Sequence, residues 1–338
     1  MVERVPVPAI HLGASMSSPG SRLRAAWSAR PIMIPGAFNA LTAKMAERLG
    51  FDAVYLSGGA LSAGWAGLPD IGLLTLTEFV EQAAVLARAT TLPLLCDADT
   101  GFGEPINVER TVRLLEAAGA AGLHLEDQVL PKRCGHLSGK ALIDPASMVA
   151  KVRVAVSARR DPDFVIIART DARSVEGFEA AVDRATLYVA AGADMIFPEA
   201  LESAEEFARF AQSLSCPLIA NMTEFGRSPL LSLDELASLG YRAVLYPLTA
   251  FRAAMRAAEE TLRSLRDRGT QRGLLDRMQS RAELYDLIDY TGWEVRDRAS
   301  FRSGPPPEPN GTEDGSRAAR PGGPTHGPIP GCPSPAGD

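Results

Sequence analysis

Between about residues 30 and 250 the chain alternates two apolar patterns. Short runs rich in β-branched and other apolar residues recur about every 25–35 residues. The stretches between them, such as Val108–Ala118 and Phe178–Ala191, carry apolar residues at three- and four-residue intervals. The first pattern predicts strands and the second amphipathic helices. Eight runs fit the strand pattern: Ile32–Pro35, Ala53–Ser57, Leu94–Asp99, Gly122–Asp127, Val165–Thr170, Met195–Glu199, Leu218–Met222 and Ala243–Pro247. The expectation is eight βα units.

The punctuation between runs is regular. The second, fourth, sixth and eighth follow Gly50, Gly119, Gly192 and Gly240, in the related phrases LGFDAVYLS, AGAAGLHLE, AGADMIFPE and LGYRAVLYP. The third, fifth and seventh follow Pro93, Pro162 and Pro217. Glycine accepts the left-handed conformation that ends a helix, and proline stops a helix while having no N–H to lose at a strand entrance. A two-strand unit used four times predicts a closed α/β (β/α)8 TIM barrel. An open doubly wound sheet would show a Gly-rich first turn, which is absent.

Composition sets the limits of that domain. A chain of 338 residues with 46% hydrophobic content can bury a sizeable core. From Ser303 onward, glycine and proline make up 18 of the last 36 residues, without apolar periodicity. The expected organisation is an irregular extension over 1–20, one barrel domain over 21–301, and a disordered Pro/Gly-rich tail over 302–338. The net charge of −6 and pI near 5.4 come with no basic stripe, which argues against nucleic acid and anionic membranes and for a small-molecule partner. The N-terminus lacks the basic and apolar regions of a signal peptide, and no window reaches the roughly 18 apolar residues of a membrane span. A cytoplasmic location follows as an expectation. Cys96, Cys134, Cys216 and Cys332 have neither metal-type nor disulfide-framework spacing, so reactivity is what a cysteine here would be kept for.

In a barrel of this kind the chemistry gathers at the carboxyl ends of the strands. Asp97 and Asp99 stand two apart, so on a strand both carboxylates point the same way, and Glu126 closes the next strand beside them. Converging carboxylates call for a hard cation, Mg²⁺ or alternatively Mn²⁺, completed by water or substrate oxygens. The plainer alternative is that these acids cap helices or pair with Arg169 and Lys132; Asp127 is read as such a structural acid. After the fourth strand comes Lys132-Arg133-Cys134-Gly135-His136. Its cations would favour thiolate over thiol, making Cys134 a proton-transfer residue or nucleophile. Cys96 and Cys216 read as ordinary core residues. Other strand ends supply anion binders: Tyr55 and Ser57 with Gly58-Gly59, then Arg169, then Asn221 and Thr223, then Arg252, with Arg281 further on. Together they describe a pocket for several carboxylates around one metal.

The series YLSGGA, GLPDIG, DADTGFG, AGAAGLHLEDQ, KRCGH, DPDFVIIARTDA, FPEA, ANMTEFG, YPLTAFRA and MQSRAELYD, spread over roughly Ser21–Val295, resembles the motifs of the 2-methylisocitrate lyases, in that family's order. DADTGFG alone would indicate only the wider isocitrate lyase and phosphoenolpyruvate mutase superfamily; the KRCGH loop narrows it to the carbon–carbon lyases. The resemblance implies a barrel whose last helix is exchanged with a neighbouring subunit, in a homotetramer. It implies an Mg²⁺ site at Asp97 and Asp99 with Glu126 nearby. Ser57, Gly58, Gly59 and Arg169 would hold the pyruvate moiety of a tricarboxylate, and Gly135, Glu199, Asn221, Thr223, Arg252 and Arg281 the succinate part. Cys134 would be the proton donor, supported by Tyr55, Asp70, Lys132, Arg133 and His136. The implied reaction cleaves (2S,3R)-2-methylisocitrate to pyruvate and succinate, in propionate catabolism through the methylcitrate cycle.

Isocitrate lyase is the nearest rival, since a methyl is worth only about 1–3 kcal/mol in an apolar pocket. Phe197 and Leu245 stand where the resemblance puts the methyl-accommodating wall, and the large insertions of long isocitrate lyases are missing. A dimethylmalate-type lyase would share the scaffold. A phosphonate enzyme would not need Cys134 as an acid. A silent binding protein should have lost some of Asp97, Asp99, Cys134 or Arg169, and all are present. The stretch Leu137-Ser138-Gly139-Lys140 departs from the motif.

Overall fold

The computed structural model describes residues 17–302. The predicted tail from Ser303, with Cys332, and the first 16 residues of the predicted extension lie outside them. The strands are β1 (Ile32–Pro35), β2 (Val54–Leu56), β3 (Leu94–Asp97), β4 (Gly122–Glu126), β5 (Val165–Thr170), β6 (Met195–Pro198), β7 (Ile219–Asn221) and β8 (Ala243–Tyr246). Every pairing is parallel, in the orders β1-β8-β7 and β2-β3-β4-β5-β6. Single parallel bridges, Gly36 with Tyr55 and Ile196 with Leu218, join the two runs at both seams. The barrel closes, as the eightfold pattern predicts.

The punctuation has the expected geometry. Gly50, Gly119, Gly192 and Gly240 have φ of 81°, 95°, 105° and 102°, each just after a helix. An outer core lies between strands and helices and includes Val54, Leu56, Leu94, Cys96, Leu123, Ile166 and Ile196. A second cluster fills the barrel with the alternate positions Ile32, Ile34, Ala53, Tyr55, Leu95, Val165, Ile167, Met195, Phe197, Ile219, Ala243 and Leu245. Strand alternation thus sorts one sequence into two cores.

Leu23 and Trp27 belong to the inner cluster. They come from the helix Pro19–Ala29, capped by Ser18, which opens inside the stretch read as irregular. Beyond β8 runs the helix Thr249–Arg268, 20 residues long with none of them buried. The chain divides into one unit up to Tyr290 and a second from Thr291, whose described part is helical to Arg302.

Candidate active site

Followed toward the strands' carboxyl ends, the inner positions change from apolar to polar. Val165 and Ile167 lead to Arg169 on β5, Leu95 to Asp97 on β3, Met195 and Phe197 to Glu199 past β6, and Ile219 to Asn221 on β7. These side chains meet at one mouth. It holds about 480 Å³ of atom-free space, lined by Tyr55, Ser57, Gly59, Asp70, Asp97, Lys132, Arg133, Cys134, Gly135, His136, Arg169, Phe197, Glu199, Asn221, Thr223, Leu245, Pro247 and Leu248. Most residues singled out from the sequence are therefore brought together.

Asp97 is the best-anchored acid. Its carboxylate accepts from the Gly58 N–H at 3.0 Å, the Asp99 N–H at 3.0 Å and the Tyr55 hydroxyl at 3.2 Å. Burial works to raise its carboxyl, but the facing His124, Lys132 and Arg169 and the Asp99 N–H outweigh it and hold it at about 2. Ser57 caps the short helix Gly58–Gly64 by accepting from the Ala60 N–H at 3.3 Å. Gly58 itself does not line the cavity; its N–H serves Asp97.

Asp99 departs from expectation. The strand ends at Asp97, and Asp99 has φ of 45°, so strand alternation stops before Asp99 and does not decide where its carboxylate goes. Asp99 instead lines an adjoining cavity with Thr100, Asn107 and Arg110. Lys132 stands between, ion-paired to Asp70 and to Asp99, the latter at 2.8 Å. Glu126 is buried behind the cavity wall, with Oε2 3.3 Å from Arg169 Nε and Oε1 lacking any hydrogen-bond partner.

The charges do not balance. Among the described residues, Asp70, Asp97, Asp99, Glu126, Asp171 and Glu199 stand around four cations, with Lys132, Lys140 and Arg169 ion-paired to these acids and Arg133 in the cavity lining. Burial, with Asp97 and Asp70 adding repulsion, pushes Asp99 up to about 6, and burial drives Glu126 well above its ordinary range. Among the described residues no three Asp, Glu, His or Cys side chains are close enough to enclose a metal. Mg²⁺ needs less than that, since it keeps waters and takes one or two carboxylates plus substrate oxygens. Excess buried acid and the orphaned Glu126 oxygen fit such an ion, with Asp97 and Asp99 as the residues that could hold it.

Arg169 is fixed by Asp171, at 3.0 and 3.1 Å, and lies 5.2 Å over the Phe197 ring. Lys140, almost fully buried, bonds both Asp171, at 2.7 Å, and the Gly135 carbonyl. This ties the KRCGH loop to the floor of the site. Gly135 has to be glycine: a Cβ there would stand 2.4 Å from Arg169 Nη2 and from Glu199 Cγ. His136 Nε2 stands 2.7 Å from Glu199 Oε1.

The thiol also corrects the sequence reading. Burial dominates at Cys134 and, with Glu199 and Asp70, raises it above its ordinary value despite the His136 N–H and Arg169. Lys132 is engaged by acids and Arg133 is exposed. Cys134 therefore keeps its proton at neutral pH.

Two arginines do not join the cavity lining. Arg252 pairs with Glu224 at 3.1 Å and lies over Phe225, because its helix starts beyond Leu248. Arg281 opens the exposed helix Arg281–Leu287, which Asp286 links to Arg48 on the helix Ala40–Arg48, outside the barrel. Within this chain Arg281 is not brought to the site.

Sequence reasoning passed over His124, Asp171 and the role of Lys140. His124 is fully buried on β4, with Nε2 2.7 Å from the Tyr55 hydroxyl, and burial brings it down to about 4, so it is neutral. Its inward position was readable by alternation, two before Glu126, as Asp171 is two after Arg169. Asp127 is structural as expected, accepting from Thr170 and Tyr188, each at 2.8 Å, and from the Asp171 N–H at 2.9 Å.

Fold and site define the class, a βα-barrel enzyme with an acid-lined mouth and a thiol on the loop above it. The family model of phosphoenolpyruvate phosphomutase matches residues 23–266. A 2-methylisocitrate lyase of Aeropyrum pernix is 53% identical, covering 83% of this chain and 91% of that one. The 2-methylisocitrate lyase of Salmonella typhimurium is 50% identical, covering 86% and 99%. Among solved structures, oxaloacetate acetylhydrolase with 3,3-difluorooxalacetate matches at TM-score 0.80 and 34% identity, over 84% of this chain and 97% of that one. 2,3-Dimethylmalate lyase, described as a PEP mutase/isocitrate lyase superfamily member, matches at 0.78 and 34%, over 88% and 99%. Phosphonopyruvate hydrolase with oxalate and Mg²⁺ matches at 0.75 and 32%, over 85% and 99%. The chain belongs to the 2-methylisocitrate lyase family, within the phosphoenolpyruvate mutase/isocitrate lyase superfamily.

Proposed function

We propose that the protein is an Mg²⁺-dependent 2-methylisocitrate lyase that breaks the bond between the hydroxyl-bearing carbon and its carboxylated neighbour, releasing pyruvate and succinate. The carrying observation is Cys134, held protonated on the cavity rim by burial, where a carbanion needs an acid rather than a nucleophile. Relatives about half identical to this chain bear that name.

Ser57, Gly59 and Arg169 bind the pyruvate end, with Gly58 anchoring Asp97 beside them, and Gly135, Glu199, Asn221 and Thr223 bind the succinate end. Asp97 and Asp99, with Glu126 nearby, would hold Mg²⁺, which when bound would supply Lewis acidity that lowers the cost of ionising the substrate hydroxyl. A solved neighbour carries Mg²⁺ with oxalate. Burial pushes the Tyr55 phenol well above its ordinary value, so it donates to Asp97 rather than acting as a base. Asp70, lining the cavity beside Lys132, is the side chain left to take the hydroxyl proton. The carbon–carbon bond pair passes to the succinate fragment, and the Cys134 S–H returns a proton to that carbon. Phe197 and Leu245 form the wall for the extra methyl.

The same reading puts the enzyme in the methylcitrate cycle of propionate catabolism, in the cytoplasm, as a homotetramer with an exchanged last helix. Among the described residues no helix is long and apolar enough to cross a membrane. The helix Thr249–Arg268 exposes Met255, Leu262 and Leu265, and an apolar groove of about 450 Å³ beside it is lined by Met33, Met45, Leu49 and Phe51. Both features suit a helix exchange.

The test is a coupled pyruvate assay with 2-methylisocitrate, isocitrate and 2,3-dimethylmalate, with Mg²⁺ or with chelator. Pyruvate and succinate should form from 2-methylisocitrate, and only with the metal. Glyoxylate from isocitrate at equal or higher efficiency would overturn the substrate assignment.

A further inference from the structure

Two loops meet above the thiol. The loop after β7 turns at Phe225, whose φ is 62°, and lays Gly226 against the His136 ring. A Cβ on Gly226 would stand 2.6 Å from His136 Nδ1 and 2.9 Å from its Cγ and Cε1. Only glycine allows this contact. The Arg227 backbone N–H then donates to His136 Nδ1 at 2.9 Å, and its Nε donates to the His136 carbonyl at 3.3 Å. Arg227 Nη1 lies 3.5 Å from Glu202 Oε1, which ties the contact to the segment after β6.

A neutral imidazole carries one proton, and the nitrogen that accepts a hydrogen bond cannot be the one that bears it. With Nδ1 accepting from Arg227, the proton sits on Nε2, which lies 2.7 Å from Glu199 Oε1 but out of line for a hydrogen bond to it. Glu199 in turn is held by Asn221, at 3.3 Å, and by Arg169, at 3.5 Å. His136 is two residues from Cys134, so whatever fixes the ring also seats the thiol.

We infer that Gly226 and Arg227 are positioning residues for the lyase reaction: they clasp His136 from the outer side, select its Nε2–H tautomer and hold the Cys134 loop closed. Neither lines the cavity. Residues of the β7 loop thereby set the geometry of an acid carried on the β4 loop. The kinetic part rests on the proposed lyase activity; the tautomer part does not.

The test uses the full chain labelled with ¹⁵N-histidine, with the His136 signals identified by their loss in His136→Gln. The wild type should show the Nε2–H tautomer alone. Gly226→Ala should mix the tautomers and lower kcat for 2-methylisocitrate by about 10- to 100-fold, the scale of a displaced catalytic group, with KM little changed. Arg227→Ala keeps the backbone N–H, so the tautomer should stay while kcat falls a few-fold, and Arg227→Lys should recover part of the loss. Wild-type histidine signals and kcat in Gly226→Ala would overturn the inference, as would a change confined to KM. Should Gly226→Ala not fold, unchanged kcat in Arg227→Ala, a partly exposed position, overturns it equally. A wild type that does not cleave 2-methylisocitrate removes the lyase reading, and the tautomer measurement still decides the clasp.

Discussion

In the lower half of the barrel Ile32, Ala53, Val165, Met195 and Ala243 fill the interior. A few residues further along neighbouring strands Asp97, His124, Arg169 and Glu199 are also buried, Asp97 and Arg169 less completely. The lower layer needs only apolar volume and close packing, which burial supplies without further conditions. The upper layer places carboxylates out of water with too few cations to match them, an arrangement costly in itself. Its acids are displaced in both directions, Asp97 down to about 2 and Asp99 up to about 6, within two residues of each other. Stability is made below and spent above, and the excess of acid is what a metal and its substrate would relieve.

Three experiments would break or sharpen that contrast. The largest effect should come from the upper region: Cys134→Ser should lower turnover by about 10²–10⁴-fold, the usual worth of a general acid. Pyruvate binding in the presence of Mg²⁺, followed by calorimetry, should persist. Retained turnover would remove the donor role. Next, Met195→Ala in the lower layer should cost about 2–5 kcal/mol in urea unfolding, from lost burial and the cavity left behind. Turnover per folded molecule should be nearly unchanged; a matching loss of kcat would mean the halves are not separable. The smallest effect is a shift in reactivity. Burial raises the Cys134 thiol, so less of it is thiolate at a given pH than for a free cysteine. Alkylation by iodoacetamide should therefore be slower than for free cysteine, with its midpoint moved to higher pH. Fast labelling at neutral pH would show the flanking cations prevailing.

Much of the fold was legible. The eight strand runs coincide with the observed strands to within a residue or two, because side-chain alternation and helix-stopping glycines and prolines act locally. The helix Pro19–Ala29 was not seen, since Leu23 and Trp27 make sense only against the barrel interior they join. For Asp99 alternation is no guide, because the strand ends two residues earlier and Asp99 has φ of 45°. Cys134 was read as thiolate because its neighbours in sequence are cationic, whereas its neighbours in space include Glu199 and Asp70.

The sequence by itself determined which elements form, which of their positions face inward and which residue types reach the strand ends. All of these follow from periodicity and local backbone preference. Tertiary structure alone decided how the charges are shared: Lys132 goes to Asp70 and Asp99, Lys140 to Asp171 and the Gly135 carbonyl, and Arg227 to His136. Those pairs join residues from 5 to 91 positions apart. Electrostatics and burial depend on distance through space, which no local pattern in the chain records.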